Sequence, residues 1–138
     1  CIRGSQKEVR QVVEVYPHPA AVNLFGLDRT LKYKARPGRS LEFRKAELSR
    51  YMALLRSLEL ASPPLHAPEI LSVELSPLRG RALKAFEDLL DALFCAYIAL
   101  HCWFWGPRGY EIFGSMEEGY ILVPVSRRQR LCYRRDNV

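Results

Sequence analysis

Asp88 and Asp91 lie three residues apart in Gly80-Arg-Ala-Leu-Lys-Ala-Phe-Glu-Asp-Leu-Leu-Asp-Ala-Leu-Phe-Cys-Ala-Tyr97, which reads as one long helix. At about 100° per residue, Leu83, Phe86, Leu90, Leu93 and Tyr97 form an apolar stripe, with Arg81, Lys84, Glu87, Asp88 and Asp91 on the other side. Past Asp91 that second side turns apolar, with Cys95, Ile98 and Cys102, so Asp91 sits where the helix passes from half-exposed to buried. Taking an ionised carboxylate out of water costs on the order of several kcal/mol unless a partner compensates. A like charge three residues away adds roughly 0.2–0.5 kcal/mol. The helix dipole acts only over about the first turn and does not reach these residues. A divalent cation resolves both costs. A solvated Asp88 and an arginine beside Asp91 resolve them as well, and the helix alone leaves both readings open.

Glu14 is the third acid of interest. Gln11-Val-Val-Glu-Val-Tyr-Pro17 reads as a strand by its β-branched content, with Val13 and Val15 on one face and Val12, Glu14 and Tyr16 on the other. Glu14 either faces solvent or occupies a polar site. Together with Asp88 and Asp91 it would supply oxygen ligands for Mg²⁺ or Mn²⁺, the hard cations that take carboxylates and water. Two such ions, about 3.5–4 Å apart, support phosphodiester cleavage. The segment Arg29 to Arg39 is a basic loop in which Lys32, Lys34, Arg36 and Arg39, interleaved with Tyr33, either grip a nucleic-acid backbone or are simply solvated. His18, between two prolines, is a turn residue or a contact to a phosphate or a metal-bound water. Trp103 and Trp105 read as core or edge packing.

These residues need a scaffold, and 138 residues suffice for one domain with a core. The formal charge of +6 and pI near 9.4 point to a polyanionic partner. Part of that excess lies in Arg127, Arg128, Arg130, Arg134 and Arg135, so residues 127–138 are expected to be a basic, disordered tail after a domain spanning 1–126. Cys1, Cys95, Cys102 and Cys132 form no zinc or redox spacing, and the pattern fits a reducing cytoplasm. The apolar run Ala92–Trp105 is about 14 residues, short of the roughly 20 a membrane span needs, so a buried helix and no membrane partner are expected. No phosphate loop, dinucleotide fingerprint or Ser/His/Asp order is present. The chain begins at Cys1 rather than methionine, as a fragment would.

Ser40 reads as the cap of a helix running to about Leu60, with Leu41, Leu48, Tyr51, Leu54, Leu55 and Leu58 as its apolar side. A short helix is expected around Ala20–Phe25. Ser62–Pro68 is a loop, and Ile70–Leu75 fits either helix or strand. The long helix ends near Gly106-Pro107, followed by strands Tyr110–Phe113 and Gly119–Pro124 around an acidic turn with Glu117 and Glu118. One strand and a hairpin are few for two substantial helices, so the sheet is expected to lack a partner upstream of residue 1.

Glu14-Val-Tyr-Pro-His18, Leu31-Lys-Tyr-Lys34 with Gly38-Arg39, Ala82-Leu-Lys-Ala-Phe-Glu-Asp-Leu-Leu-Asp-Ala92 and Gly119-Tyr-Ile-Leu-Val-Pro124 resemble, in this order, the domain-of-unknown-function 429 family. The resemblance covers roughly residues 11 to 125. It implies an α/β, RNase H-like fold and a predicted nuclease activity. By that analogy Glu14 matches the fourth-strand acid, and Asp91, with Asp88 beside it, matches the acid of the last helix. The family normally opens with a three-stranded meander bearing a Gly-x-Asp motif, and no such segment precedes Gln11. The resemblance therefore implies a truncated enzyme, inactive alone, that completes its sheet with the missing segment or with another chain through an open edge. The alternative is a non-catalytic nucleic-acid-binding or interaction module on the same fold.

Overall fold

The computed structural model describes residues 12–115 and 117–126. The arginine-rich tail therefore lies outside the described residues, as does Gln11 of the expected first strand. Six of the elements matter below: α1 (Pro17–Phe25), α2 (Leu41–Ser57), α3 (Pro68–Leu71), α4 (Gly80–Trp105), β1 (Tyr110–Ser115) and β2 (Gly119–Pro124). The architecture is mixed helix with a small two-stranded antiparallel sheet. The chain divides into two compact units, residues 1–28 with 98–138, and residues 29–97.

In the first unit, among the described residues, the expected strand Gln11–Pro17 shows one parallel bridge, Val15 to Leu122 of β2, with Leu122 N donating to Glu14 O at 3.0 Å. A strand needs a continuous ladder, and β2 spends its other edge on β1. Pro17 does not merely end the extended segment. It opens α1 at the first helical position, where its fixed φ suits the helix and its missing N–H costs nothing. The helix thus starts earlier than expected and ends at Gly26, whose φ of 62° is left-handed. Asn23 Nδ2 donates to Pro124 O at 2.8 Å, tying α1 to β2. Ala20, Ala21, Ile98, Cys102, Leu122, Val123 and Val125 form this unit's apolar core.

The hairpin pairs Tyr110 with Pro124 through Ser115 with Gly119, and Glu118 N donates to Ser115 Oγ in the acidic turn. Among the described residues β1 pairs with β2 alone, and both Ile112 and Phe113 are exposed. Trp103 is 71% exposed, contrary to the expected packing role. Gly114 holds φ 107°, and a Cβ there would lie 2.2 Å from Gly119 O. Gly114→Ala is therefore expected to cost about 2–3 kcal/mol locally. Amide exchange across β1 and β2 should speed up by roughly tenfold or more. An unchanged exchange pattern would contradict this account of the turn.

In the second unit Ser40 caps α2 as expected, its Oγ accepting from Phe43 N at 3.1 Å. Leu48, Tyr51, Met52, Leu55 and Leu58 are buried, as are Leu71, Leu83, Phe86, Leu90, Phe94 and Tyr97. Tyr33 stacks on Tyr51 (centroids 5.1 Å, planes 17° apart), and Tyr51 meets Phe94 edge-on at 5.9 Å. This aromatic row joins the basic loop to α2 and α2 to α4. The segment Gly80–Arg108 is long and apolar enough to cross a membrane by length and composition, with mean hydropathy 1.4, and the core helix of a soluble protein passes the same test.

Candidate cation and loop site

Helix α4 holds the acids because an unbroken run of good helix formers carries Asp88 and Asp91 one turn apart. Glu87, one position earlier, departs from the expected pattern: it is fully buried, not part of a polar face. Its helical position falls between Leu83, Leu90 and Phe94, the residues that pack inward. Arg44 of α2 meets it, Nη2 to Oε1 at 2.8 Å, and Glu87 Oε2 has no hydrogen-bond partner among the described residues. Arg44 also donates from Nε to Tyr33 O at 3.1 Å, so one guanidinium joins the buried carboxylate to the backbone of the basic loop.

The loop is held at three further points. Lys32 N donates to Oε2 of the buried Glu47 at 2.7 Å. Arg39 Nη1 donates to Lys32 O and Lys34 O at 3.3 and 3.1 Å. Arg39 N closes a turn onto Arg36 O at 3.2 Å, with Gly38 at φ 79°. Arg39 therefore braces the loop from inside, and Arg36 is exposed at the turn. This backbone fixes Tyr33 and Lys34 against α4.

Asp91 uses both carboxylate oxygens. Tyr33 Oη donates to Oδ1 at 2.5 Å, and Lys34 Nζ pairs with Oδ2 at 2.6 Å. The same ammonium reaches Asp88 Oδ1 at 3.2 Å, so two carboxylates converge on one cation. Lys84, one turn before Asp88, pairs with it at 2.5 Å. The expected arginine partner of Asp91 is thus a lysine with a buried tyrosine. The side chain of Asp91 is 21% exposed and that of Asp88 55%, which places Asp91 at the boundary between solvent and core.

The electrostatics follow from these contacts. Burial pulls the Lys34 ammonium down, but its bonds to Asp91 and then Asp88 outweigh that and hold its pKa above the ordinary value. Burial, then the bond to Asp91, pushes the Tyr33 phenol far up, so it remains a donor. Burial alone raises Cys102 to about 11, which leaves it an inert core thiol. Hydrogen bonds from Lys84, then Lys34, hold the Asp88 carboxyl below its ordinary 3.8. A depressed carboxyl contributes stability above its unfolded pKa and loses it as pH falls through the folded one. Lys84→Gln should move the Asp88 midpoint upward toward 3.8 in a ¹³C-carboxyl NMR titration, and an unmoved midpoint would contradict the pairing.

Glu14 and His18 belong to the unit of residues 1–28 and 98–138, whereas Asp88, Asp91 and the loop belong to the other. Glu14 is exposed and His18 meets Tyr16 edge-on at 5.7 Å. Among the described residues no group of three or more His, Cys, Asp or Glu side chains is gathered so as to hold a metal ion. Helical spacing had placed Glu87 on the polar side of its helix, and Arg44 and Glu47 had no expected role. Their signal was present, since Arg44 lies four residues before Leu48 on the stripe Leu48, Tyr51, Leu55 and Leu58, with Glu47 beside it.

No curated protein and no solved structure matches the chain. A family described as protein of unknown function (DUF429) matches residues 1–109, which takes in both acids of α4 and the basic loop and stops short of the hairpin. Covering most of the sequence, that match places the chain in the DUF429 family.

Proposed function

We propose that this chain carries the helix acids of a metal-dependent nuclease with an RNase H-like fold, which hydrolyses nucleic-acid phosphodiesters. The observation that supports it most is the convergence of Asp88 and Asp91 on the single Lys34 ammonium, at 3.2 and 2.6 Å. A position that two partly exposed carboxylates already share with one cation suits Mg²⁺ or Mn²⁺ in donor chemistry, and Mg²⁺ commonly uses one or two carboxylates and keeps several waters. Asp91 and Asp88 would hold the ion. When bound, the metal supplies an activated water and a counter-charge for the leaving oxygen. Tyr33 orients Asp91 through Oδ1. Lys32, Lys34 and Arg36 would meet phosphates, on a loop that Arg39 keeps in shape. The RNase H-like reading is supported by family membership and by the order of extended segment, helices and acid-bearing helix.

A second reading, a non-catalytic nucleic-acid-binding or interaction module, is favoured by the lysine partners of both carboxylates. Asp91→Asn separates the two. The nuclease reading expects loss of both Mn²⁺ binding and Mn²⁺-dependent cleavage, and it fails if both persist. The binding-module reading expects an affinity that falls steeply with salt and is indifferent to EDTA.

A further inference from the structure

We infer that β1 is a docking edge for a second copy of this chain, the two β1 strands pairing antiparallel about Ile112 into one four-stranded sheet. The hairpin has two edges. That of β2 is taken by residues 14–15, through the Val15–Leu122 bridge and the bond from Leu122 N to Glu14 O. β1, Tyr-Glu-Ile-Phe-Gly-Ser, pairs with β2 alone among the described residues. It carries neither the lysine nor the proline that commonly blunts such an edge. Successive strand side chains point to opposite faces, and the middle two, Ile112 and Phe113, are 57% and 53% exposed. Both faces of the strand are thus apolar and uncovered at its centre.

Backbone direction and charge select the partner. Val125 N donates to Gly109 O at 2.9 Å. By antiparallel alternation Tyr110 and Ile112 then turn their N–H and C=O away from β2, which agrees with Pro124, opposite Tyr110, having no N–H to offer. An antiparallel copy centred on Ile112 satisfies these groups, setting Ile112 against Ile112 and Tyr110 beside Gly114. The same alignment brings the exposed turn acids Glu117 and Glu118 of one copy to the exposed Arg108 end of the other, twice by symmetry. Parallel pairing would set these acids on each other. A polyanion or an anionic lipid surface would be repelled by Glu111, Glu117 and Glu118. A strand pair of this length falls below about 1,200 Å² of buried surface, so the association is weak and reversible.

Sedimentation velocity of the whole chain, under reductant so that no cysteine cross-link contributes, tests the pairing. Between about 10 and 300 µM the average mass should rise toward that of a dimer, as a small interface allows. Ile112→Lys, which puts a charge at the centre of the edge, should weaken association at least about tenfold while leaving the β1–β2 amide exchange pattern intact. Arg108→Glu should weaken it about three- to tenfold, and adding Glu117→Lys with Glu118→Lys should restore it to within about threefold of wild type. Should Ile112→Lys disturb the hairpin, the charge reversal and its rescue decide. A chain that stays monomeric at 300 µM, as it would with another segment or a different protein on the edge, overturns the inference. So does a dimer that Ile112→Lys and Arg108→Glu leave unchanged, or a charge reversal that the compensating lysines do not rescue.

Discussion

Arg44→Met is expected to destabilise the chain by about 3–5 kcal/mol, the penalty for leaving a buried charge without its partner. Glu87 is fully buried, its Oε1 is held by Arg44 at 2.8 Å, and its Oε2 has no hydrogen-bond partner among the described residues. Methionine fills the volume of the arginine stem but returns nothing to the carboxylate. Against a domain stability of roughly 5–15 kcal/mol the loss is large, and the urea midpoint should fall by about 1–3 M. The double variant Arg44→Met, Glu87→Met should recover most of that loss, because an apolar pair of similar size replaces a buried ion pair at little cost. A shift below about 1 kcal/mol in the single variant would show that Glu87 is not held as described. The arginine also bonds Tyr33 O, so its loss should loosen the loop that delivers Lys34 to the acids.

Asp91→Asn has the largest expected effect on function. The substitution keeps shape and the oxygen that accepts from Tyr33, but removes the charge that Lys34 Nζ meets at 2.6 Å. Mn²⁺ affinity should fall by at least about tenfold, given that even the outer partners of metal ligands are worth about 10–100-fold. Asp88 alone, 55% exposed at its side chain and still paired with Lys84, cannot make up the difference. Any Mn²⁺-dependent cleavage should fall with it. Affinity within about twofold of wild type would remove Asp91 from the site.

Much of this arrangement was legible in the sequence where local chemistry decides structure. Ser40 announced the start of α2, the acids of α4 and their unequal exposure followed from helical spacing, and the hairpin followed from alternation around an acidic turn. The strand expected around Glu14 was not so simple, because β propensity is realised only where a partner edge continues, and here one bridge to Leu122 is made. The identity of Asp91's partners was also out of reach. Tyr33 is 58 positions from Asp91 and Lys34 is 54 from Asp88, and spacing along one helix carries no information about which loop closes over it. Glu87 shows the opposite lapse. Its place among Leu83, Leu90 and Phe94 marked it as inward-facing, and its charge alone suggested otherwise.

The central claim is that Asp88 and Asp91 form one cation position shared with Lys34. Paramagnetic broadening of the ¹H–¹⁵N spectrum by substoichiometric Mn²⁺ locates such a position directly. The account predicts that the amides of residues 87–92 and of Tyr33 and Lys34 broaden first and together, and that Asp91→Asn abolishes the effect. Broadening centred elsewhere, or spread over the surface acids and unchanged in Asp91→Asn, would contradict it.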